Sequence, residues 1–339
     1  MQKILVTGGA GFIGSAVIRM AIKKGYKVLN FDALTYASTL ESVSSVENSD
    51  RYEFLRADLR NQEVVEKTFR QFQPDKVLHL AAETHVDKSI LRPNEFLETN
   101  IIGTFNLLET AKNYWFENGK SEIFRFHHIS TDEVFGSLGK DGFFTEDTPY
   151  KPQNPYSASK ASSDHLVRAW SHTYGLPILI SNCSNNYGPY QYPEKLIPLM
   201  IINALNGKRM PVYGDGRNIR DWLYVEDHAD AILSILKDGQ PGRSYNIGCN
   251  NEISNIDLVR KICGVLDQIK PREISYDRLI NLVADRPGHD FRYAINSNRI
   301  TSELNWKPRF SFEEGLVKTI KWYVNNKDWW KPLLKKIDG

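Results

Sequence analysis

A glycine-rich turn near the start of the chain constrains the fold more than any other feature. An apolar run at residues 3–7 predicts a buried parallel strand, and a helical pattern that stops at Gly25 follows the turn. Between them the glycines read G-x-G-x-x-G from Gly9, or G-x-x-G-x-x-G from Gly8. Such glycines allow a tight turn and let a pyrophosphate approach the free N–H groups at a helix N-terminus. The order of strand, glycine turn and helix therefore predicts a dinucleotide-binding α/β fold.

Asp32 supports a particular dinucleotide. It follows the second predicted strand, residues 27–31, and lies eighteen residues after Gly14. Dinucleotide-binding folds place there the acid that accepts hydrogen bonds from the adenosine ribose hydroxyls. A carboxylate would repel a 2′-phosphate, and the next arginine is Arg51. The pattern predicts NAD rather than NADP as the cofactor; the alternative for Asp32 is an ordinary turn residue.

The alternation of strands and helices continues to about residue 182. Strands are predicted at residues 52–56, 76–80, 124–131 and 177–181, and helices at residues 62–72 and 96–116. The expected fold class is α/β, with a Rossmann-type doubly wound parallel sheet in an NAD-binding domain over residues 1–182. A smaller, mixed α/β substrate-binding domain is expected over residues 183–339, with some segments returning to the first domain.

Thr131, Asp132 and Glu133 follow the fifth strand, where a hydroxyl and two adjacent carboxyl groups would face the ligand crevice. The alternative is an acidic turn in which Asp132 only caps the next segment. Two carboxyl groups in one pocket of low dielectric do not both ionise easily, so one of them tends to stay protonated. This stretch is a candidate for general acid and base chemistry.

Tyr156 and Lys160 lie four residues apart near the start of a helix that Asn154 and Pro155 introduce. This spacing puts both side chains on one helix face. A lysine ammonium near a phenol lowers the phenol pKa, which suits a catalytic base, and it can also hold a ribose hydroxyl. A surface Tyr/Lys pair is the alternative.

Charge and cysteine content limit the other function classes. The formal net charge of +2 gives no reason to expect a nucleic-acid or membrane surface, and no apolar run has transmembrane length. The three cysteines have no redox or zinc spacing and are expected to be buried, so a cytoplasmic location is expected. His127 and His128 are adjacent on a strand and point to opposite faces, so no metal site is expected.

With the glycine motif, Asp32 and the YSASK run in place, the chain is similar to the extended short-chain dehydrogenases/reductases, the NAD-dependent epimerases and dehydratases. The turn STDEVFG carries an acid pair that the epimerases of this group lack. Together with AAETHVDKSI, SNNYGPYQYPEKLIP, RDWLYVEDH and DRPGHDFRYAI, it resembles the nucleotide-sugar 4,6-dehydratases. Thr84, Phe135 and Phe291 depart from that pattern, where serine, tyrosine, and arginine or leucine are usual.

The resemblance implies a chemistry and a partner. It implies dTDP-glucose as the substrate, bound NAD, and a role in deoxysugar biosynthesis. It assigns Tyr156 as the base at the 4-hydroxyl with Thr131 as its partner, Glu133 as the base at C5 and Asp132 as the acid at C6. It also implies a homodimer. UDP- or CDP-glucose as the substrate, a UDP-sugar 4-epimerase and a non-catalytic NAD-binding protein remain open alternatives.

The candidate binding residues form two sets. Those expected to contact the cofactor are Gly8, Gly11, Phe12, Ile13, Gly14, Asp32, Asp58, Leu59, Leu80, Ala81, Ala82, Thr99, Tyr156, Lys160 and Asn186. Those expected to contact the nucleotide sugar are Thr84, Asn185, Lys195, Leu196, Pro211, Tyr213, Arg220, Asn255, Arg286 and His289. Lys195, Arg220 and Arg286 provide cations for a diphosphate.

Overall fold

Parallel strands from both halves of the chain form the central sheet. The computed structural model of the protein describes residues 1–285 and 290–337. The strands within these residues are β1 (Lys3–Thr7), β2 (Lys27–Asp32), β3 (Tyr52–Arg56), β4 (Lys76–His79), β5 (Arg125–Thr131), β6 (Ile178–Cys183), β7 (Asn185–Tyr187), β8 (Met210–Tyr213), β9 (Ile219–Tyr224), β10 (Ser244–Ile247), β11 (Glu252–Ser254) and β12 (Ile280–Val283).

The strand order of the main sheet is β10-β6-β5-β4-β1-β2-β3. Each pair in it is parallel. The order reverses direction between β1 and β4, and ligands of such sheets bind at the carboxyl ends of the strands beside that point. The predicted doubly wound sheet is therefore confirmed.

Helices cover both faces of this sheet. They are α1 (Phe12–Lys23), α2 (Gln62–Phe72), α3 (Val86–Leu91), α4 (Pro93–Phe96), α5 (Gly103–Glu117), α6 (Pro155–Tyr174), α7 (Leu196–Leu205), α8 (Val225–Asp238), α9 (Asn255–Ile269), α10 (Asn298–Leu304), α11 (Phe312–Asn325) and α12 (Lys327–Ile337). Side chains of α2, α5 and α6 pack on one face, and those of α1 and α8 pack on the other. This two-sided burial explains why the sheet strands are continuous apolar runs.

The second half of the chain builds a further core from smaller sheets. β11, β9 and β7 form one sheet, and β12 pairs with β8 in another. Side chains of α7, α9 and α11 pack against these strands. β10 lies after residue 182 but pairs with β6, with Ser244 opposite Ile180 and Ile247 opposite Cys183.

The long helix predicted over residues 96–116 is interrupted. Leu97–Ile102 form a π-helical turn, and a regular α-helix begins only at Gly103. Asn100, in this turn, accepts the N–H of Glu83 at 2.8 Å, and its amide donates to the Glu83 carbonyl at 3.0 Å and to the Ser159 hydroxyl at 2.8 Å. The widened turn thus ties the end of β4 to α6, a long-range contact that hydrophobic periodicity does not reveal.

Candidate active site

The glycine turn between β1 and α1 lies tightly against the end of β4. Gly8 has a φ of +72°, in the left-handed region. A Cβ atom on Gly8 would lie 2.6 Å from the backbone nitrogen of Ala81, and one on Gly14 would lie 2.2 Å from the carbonyl oxygen of Gly8. Gly11 caps α1, and the predicted residues Phe12 and Ile13 form its first turn. The backbone at this helix N-terminus is therefore free of side chains that would keep an anion away.

Asp32 lies beside the glycine turn. Its carboxylate accepts the N–H of Ala10 at 2.9 Å and that of Leu34 at 2.8 Å. Burial raises the pKa of Asp32, and these two hydrogen bonds oppose the shift. The residue predicted from the motif spacing is thus held in place by the same turn that carries the motif.

The other predicted cofactor residues are distributed along the sheet edge. Asp58 forms an ion pair with Arg60 at 2.6 Å, and the Arg60 guanidinium holds the pKa of Asp58 below its ordinary value. Leu59 is buried next to it. Leu80, Ala81 and Ala82 follow β4, Thr99 lies in the π-helical turn, and Asn186 lies in β7. Their contacts with a cofactor stay predictions.

The acidic stretch lies where the sequence predicts it, at the carboxyl end of β5. Asp132 begins a short 3₁₀ turn, Asp132–Phe135, and the Thr131 hydroxyl accepts the N–H of Glu133 at 3.3 Å. The same hydroxyl lies 3.4 Å from Asp132 Oδ1 and forms a hydrogen bond with the Tyr156 phenol. The hydroxyl, the acid pair and the phenol are thus brought together in one site.

Asp132 and Glu133 differ sharply in their surroundings. The Asp132 side chain is buried, and its Oδ2 atom has no hydrogen-bond partner among the described residues. Burial, reinforced by the charges of Glu133 and Asp221, raises the pKa of Asp132 well above its ordinary value. Glu133 is partly exposed and lines an open pocket. Asp132 is therefore suited to donate a proton, and Glu133 is accessible to a ligand.

Tyr156 and Lys160 are both buried, and the pKa of the phenol is raised, where the sequence predicts that it is lowered. Lys160 Nζ donates to the carbonyl of Ile129 at 2.9 Å and lies 3.5 Å from Nε2 of His128. Burial and the charge of Glu133 raise the pKa of Tyr156 well above its ordinary value, and the hydrogen bond with Thr131 opposes this shift. The ammonium points to the strand carbonyl rather than to the phenol.

The pocket beside Glu133 contains several predicted substrate residues. It is lined by Glu133, Asn185, Arg220, Asp290, Tyr293 and side chains of α3 and the start of α6. The Arg220 guanidinium donates to the carbonyls of Asp290 at 2.9 Å and Phe291 at 3.3 Å. These two hydrogen bonds fix the Arg220 guanidinium to the backbone of residues 290 and 291.

The remaining predicted substrate residues lie on separate elements. Thr84 follows β4, Lys195 caps α7 and Leu196 begins it, Pro211 and Tyr213 belong to β8, and Asn255 begins α9. Asn255 is buried, and its Oδ1 atom has no hydrogen-bond partner in the described ranges. Arg286 and His289 lie outside the described residues.

Two groups near the site were not identified from the sequence. The Tyr293 ring lies under the Arg220 guanidinium, with 4.5 Å between them, and its phenol donates to the Asp290 carboxylate. Glu194 accepts a hydrogen bond from the Tyr36 phenol at 3.0 Å and lies 3.5 Å from His85. Both belong to runs quoted for the family resemblance, but single residues in polar loops have no periodicity that would mark them.

The histidines lie as predicted on opposite faces of β5. His127 contacts the Ser181 hydroxyl at 2.9 Å, and His128 lies 3.1 Å from Asp164. Within residues 1–285 and 290–337, no cluster of three or more His, Cys, Asp or Glu side chains has the geometry of a metal site. No helix in the described part of the chain is long and apolar enough to span a membrane.

Comparison with known proteins assigns the chain to a family. Residues 5–319 fit the profile of the family described as GDP-mannose 4,6 dehydratase. The dTDP-glucose 4,6-dehydratase of Neisseria meningitidis serogroup B is 56% identical over 342 residues, which cover 98% of this chain and 96% of the relative. dTDP-glucose 4,6-dehydratase 1 of Escherichia coli K12 is also 56% identical, over 97% of this chain and 94% of the relative.

Solved structures agree with the sequence relatives. The dTDP-glucose 4,6-dehydratase of Bacillus anthracis in complex with NAD superposes with a TM-score of 0.88 at 45% identity, covering 98% of this chain and all of the other. The UDP-glucose 4-epimerase of Thermus thermophilus in complex with NAD has a TM-score of 0.85 at 28% identity, covering 96% of this chain and all of the other. The fold is thus shared with epimerases, whereas the higher identity lies with the dehydratases. The chain belongs to the family of nucleotide-sugar 4,6-dehydratases that the GDP-mannose 4,6 dehydratase profile describes.

Proposed function

We propose that this protein is an NAD-dependent dTDP-glucose 4,6-dehydratase that converts dTDP-glucose into dTDP-4-keto-6-deoxyglucose and water. The observation that carries the proposal is the pair of unlike carboxyl groups at the end of β5. Asp132 is buried with a raised pKa, and the adjacent Glu133 opens on the pocket. Elimination of water needs an acid and a base together, whereas epimerisation at C4 needs neither carboxyl group.

The glycine turn and Asp32 fit NAD. The turn leaves the backbone N–H groups of α1 accessible, and Asp32 presents its carboxylate beside them. When bound, oxidised NAD supplies a two-electron oxidant for the sugar and a positive charge that favours the phenolate form of the buried tyrosine. The residues proposed to hold it are those of the glycine turn, the ends of β2 and β4, Tyr156, Lys160 and Asn186.

Oxidation at C4 relies on Tyr156 and Thr131. The proton of the 4-hydroxyl passes to the Tyr156 oxygen, and the Thr131 hydroxyl, which bonds to that phenol, orients the same sugar oxygen. Because burial raises the pKa of Tyr156, its phenolate form is a stronger base than an ordinary phenolate. The 4-ketone that results makes the proton on C5 acidic.

Elimination across C5 and C6 uses the two carboxyl groups. Glu133 removes the C5 proton, and the C5–C6 double bond forms as the 6-hydroxyl leaves. Asp132 gives its proton to that hydroxyl, so water departs instead of hydroxide. The product would be completed by a hydride at C6, which the cofactor would supply when bound, and by a proton that Glu133 would return to C5.

The partner and location of the protein are part of the proposal. We infer a homodimer, because exposed apolar side chains follow one another along the π-helical turn, α5 and α6: Leu97, Ile102, Phe105, Phe116 and Tyr174. Burying such a patch against a second copy would be favourable. A cytoplasmic location fits free thiols at all three cysteines.

Profiling of nucleotide sugars tests the proposal. Purified protein is incubated with dTDP-glucose, UDP-glucose, CDP-glucose and GDP-mannose, without added NAD, and the alkali-induced absorbance of a 4-keto-6-deoxy sugar is measured. We expect the highest kcat/KM with dTDP-glucose. Preference for another nucleotide sugar would correct the base, a 4-epimer product would favour the epimerase, and no reaction with any of the four would refute the dehydratase function.

A further inference from the structure

Tyr156 and Lys160 share their helix face with a third buried polar residue. Asp164 follows Lys160 by four residues on α6, so the three side chains recur at one-turn intervals. Asp164 is fully buried, and Lys160 is nearly so. Carboxylates are rarely buried to this extent unless other groups compensate their charge. The proposed reaction leaves Asp164 without a role.

The Asp164 carboxylate connects three separate parts of the chain. Its Oδ2 atom accepts the Ser130 hydroxyl at 2.9 Å and the Tyr150 phenol at 2.8 Å. The amide of Asn182 lies 3.4 Å from the same oxygen and donates to the Thr131 carbonyl at 3.1 Å. Ser130 immediately precedes Thr131, so these hydrogen bonds fix the position of the end of β5 relative to α6.

The same carboxylate and the Lys160 ammonium both contact one nitrogen of His128. His128 Nε2 lies 3.1 Å from Asp164 Oδ1 and 3.5 Å from Lys160 Nζ. Burial lowers the pKa of His128 to about 4, so the ring between the two charges is neutral. Burial also lowers the pKa of Lys160, and the Asp164 charge opposes that shift.

We propose that Asp164 is a positioning residue, a buried counter-charge that keeps Lys160 protonated and fixes the Thr131–Asp132–Glu133 turn against Tyr156. This inference rests on the proposed function, because it concerns the first step of that reaction. The titratable groups that face Lys160 or Asp164 from the packed elements are His79, His128, Tyr150 and Cys183, and Arg168 contacts Tyr150. Asp164 itself supplies the negative charge that acts on Lys160.

The first test follows the oxidation step alone. Asp164→Asn is made in the Glu133→Gln background. In that background we expect dTDP-glucose to reduce the bound cofactor without elimination of water. The rate of cofactor reduction is then measured as a function of pH. We expect the alkaline fall of the rate to begin about one pH unit lower than with Asp164 intact, because Lys160, which is proposed to hold the cofactor, loses its proton at a lower pH without the opposite charge. Asp230→Asn, which removes a partner of Lys24 at the surface, is the matched control and should leave the profile unchanged.

The possible results distinguish a failure of the proposed Asp164 role from a failure of the proposed dehydratase function. A rate that falls equally at every pH, with the alkaline limb unmoved, would overturn the counter-charge role and leave Asp164 only its hydrogen bonds to the end of β5. If the wild-type protein does not act on any nucleotide sugar, the proposed function fails before Asp164 is tested.

A double-mutant cycle tests the charge pair without any activity measurement. Lys160→Met leaves Asp164 without its cation, Asp164→Asn leaves Lys160 without its anion, and the double variant removes both charges. We expect the double variant to unfold at a higher urea concentration than the sum of the two single effects predicts. Additive effects of the two substitutions would contradict the pairing.

Discussion

Asp132→Asn is the change that bears most directly on the proposed chemistry. The substitution keeps the shape of a side chain that is 2% exposed, so it opens no cavity. It removes the proton that a carboxyl group with a raised pKa would donate to the leaving 6-hydroxyl. The change therefore separates the acid function from the packing of the turn.

Loss of a general acid usually slows a reaction by about 10²–10⁴-fold, which is about 3–5 kcal/mol in barrier height. We expect kcat for the 4-keto-6-deoxy product to fall by this factor. Reduction of bound NAD by dTDP-glucose, followed by its absorbance in a stopped-flow instrument, should persist because Tyr156 and Thr131 are intact. Turnover at the wild-type rate would refute the acid role of Asp132.

The same variant has a second, independent signature in its stability. Because the pKa of Asp132 is raised in the folded state, only the unfolded chain ionises as the pH rises above the ordinary value of about 3.9. Wild-type stability therefore declines from there up to the raised pKa, by at most about 1.4 kcal/mol per pH unit from this group. The asparagine variant lacks this decline, so its stability relative to wild type should increase with pH in urea titrations. A difference that is independent of pH would show that Asp132 is ionised in the folded protein.

Three further predictions concern the base, the cofactor turn and the dimer. Glu133→Gln should let reduced cofactor accumulate while product formation falls at least about 100-fold; normal turnover would exclude Glu133 as the C5 base. Gly14→Ala places a Cβ 2.2 Å from the Gly8 carbonyl oxygen, so it should lower the free energy of unfolding by about 1–3 kcal/mol and release NAD. The control Gly264→Ala, whose Cβ would have no atom within 4 Å, should leave the free energy of unfolding unchanged or raise it by up to about 1 kcal/mol. Phe105→Asp should shift the sedimentation coefficient to that of a monomer; an unchanged coefficient would place the interface elsewhere.

The sequence was a good guide where local patterns determine the structure. The glycine turn, the strand-end Asp32 and the Asn154 cap depend on short-range geometry, and each lies where the pattern predicts. The acid pair was found because residues at the carboxyl end of a central strand face the crevice.

Features that depend on distant contacts were not predictable. The direction of the Lys160 ammonium is set by a strand carbonyl and by the His128 ring, which lie 31 and 32 residues away along the chain. The π-helical turn exists because the Asn100 side chain bonds to Glu83 and Ser159. Polar side chains buried by such contacts have no apolar periodicity, so pattern-based reasoning leaves them on the surface.

The pairing of β10 with β6 has a consequence for synthesis of the protein on the ribosome. A nascent chain that has reached residue 183 already contains the other strands of the main sheet. On one side of β6, however, the N–H and C=O groups along Ile180–Cys183 have no strand partner until the segment Ser244–Ile247 has been synthesised. Until that segment emerges, the growing chain presents an unpaired strand edge that can pair with a neighbouring nascent chain. Slowed translation between β6 and β10 should therefore increase aggregation, whereas a pause after β10 should not.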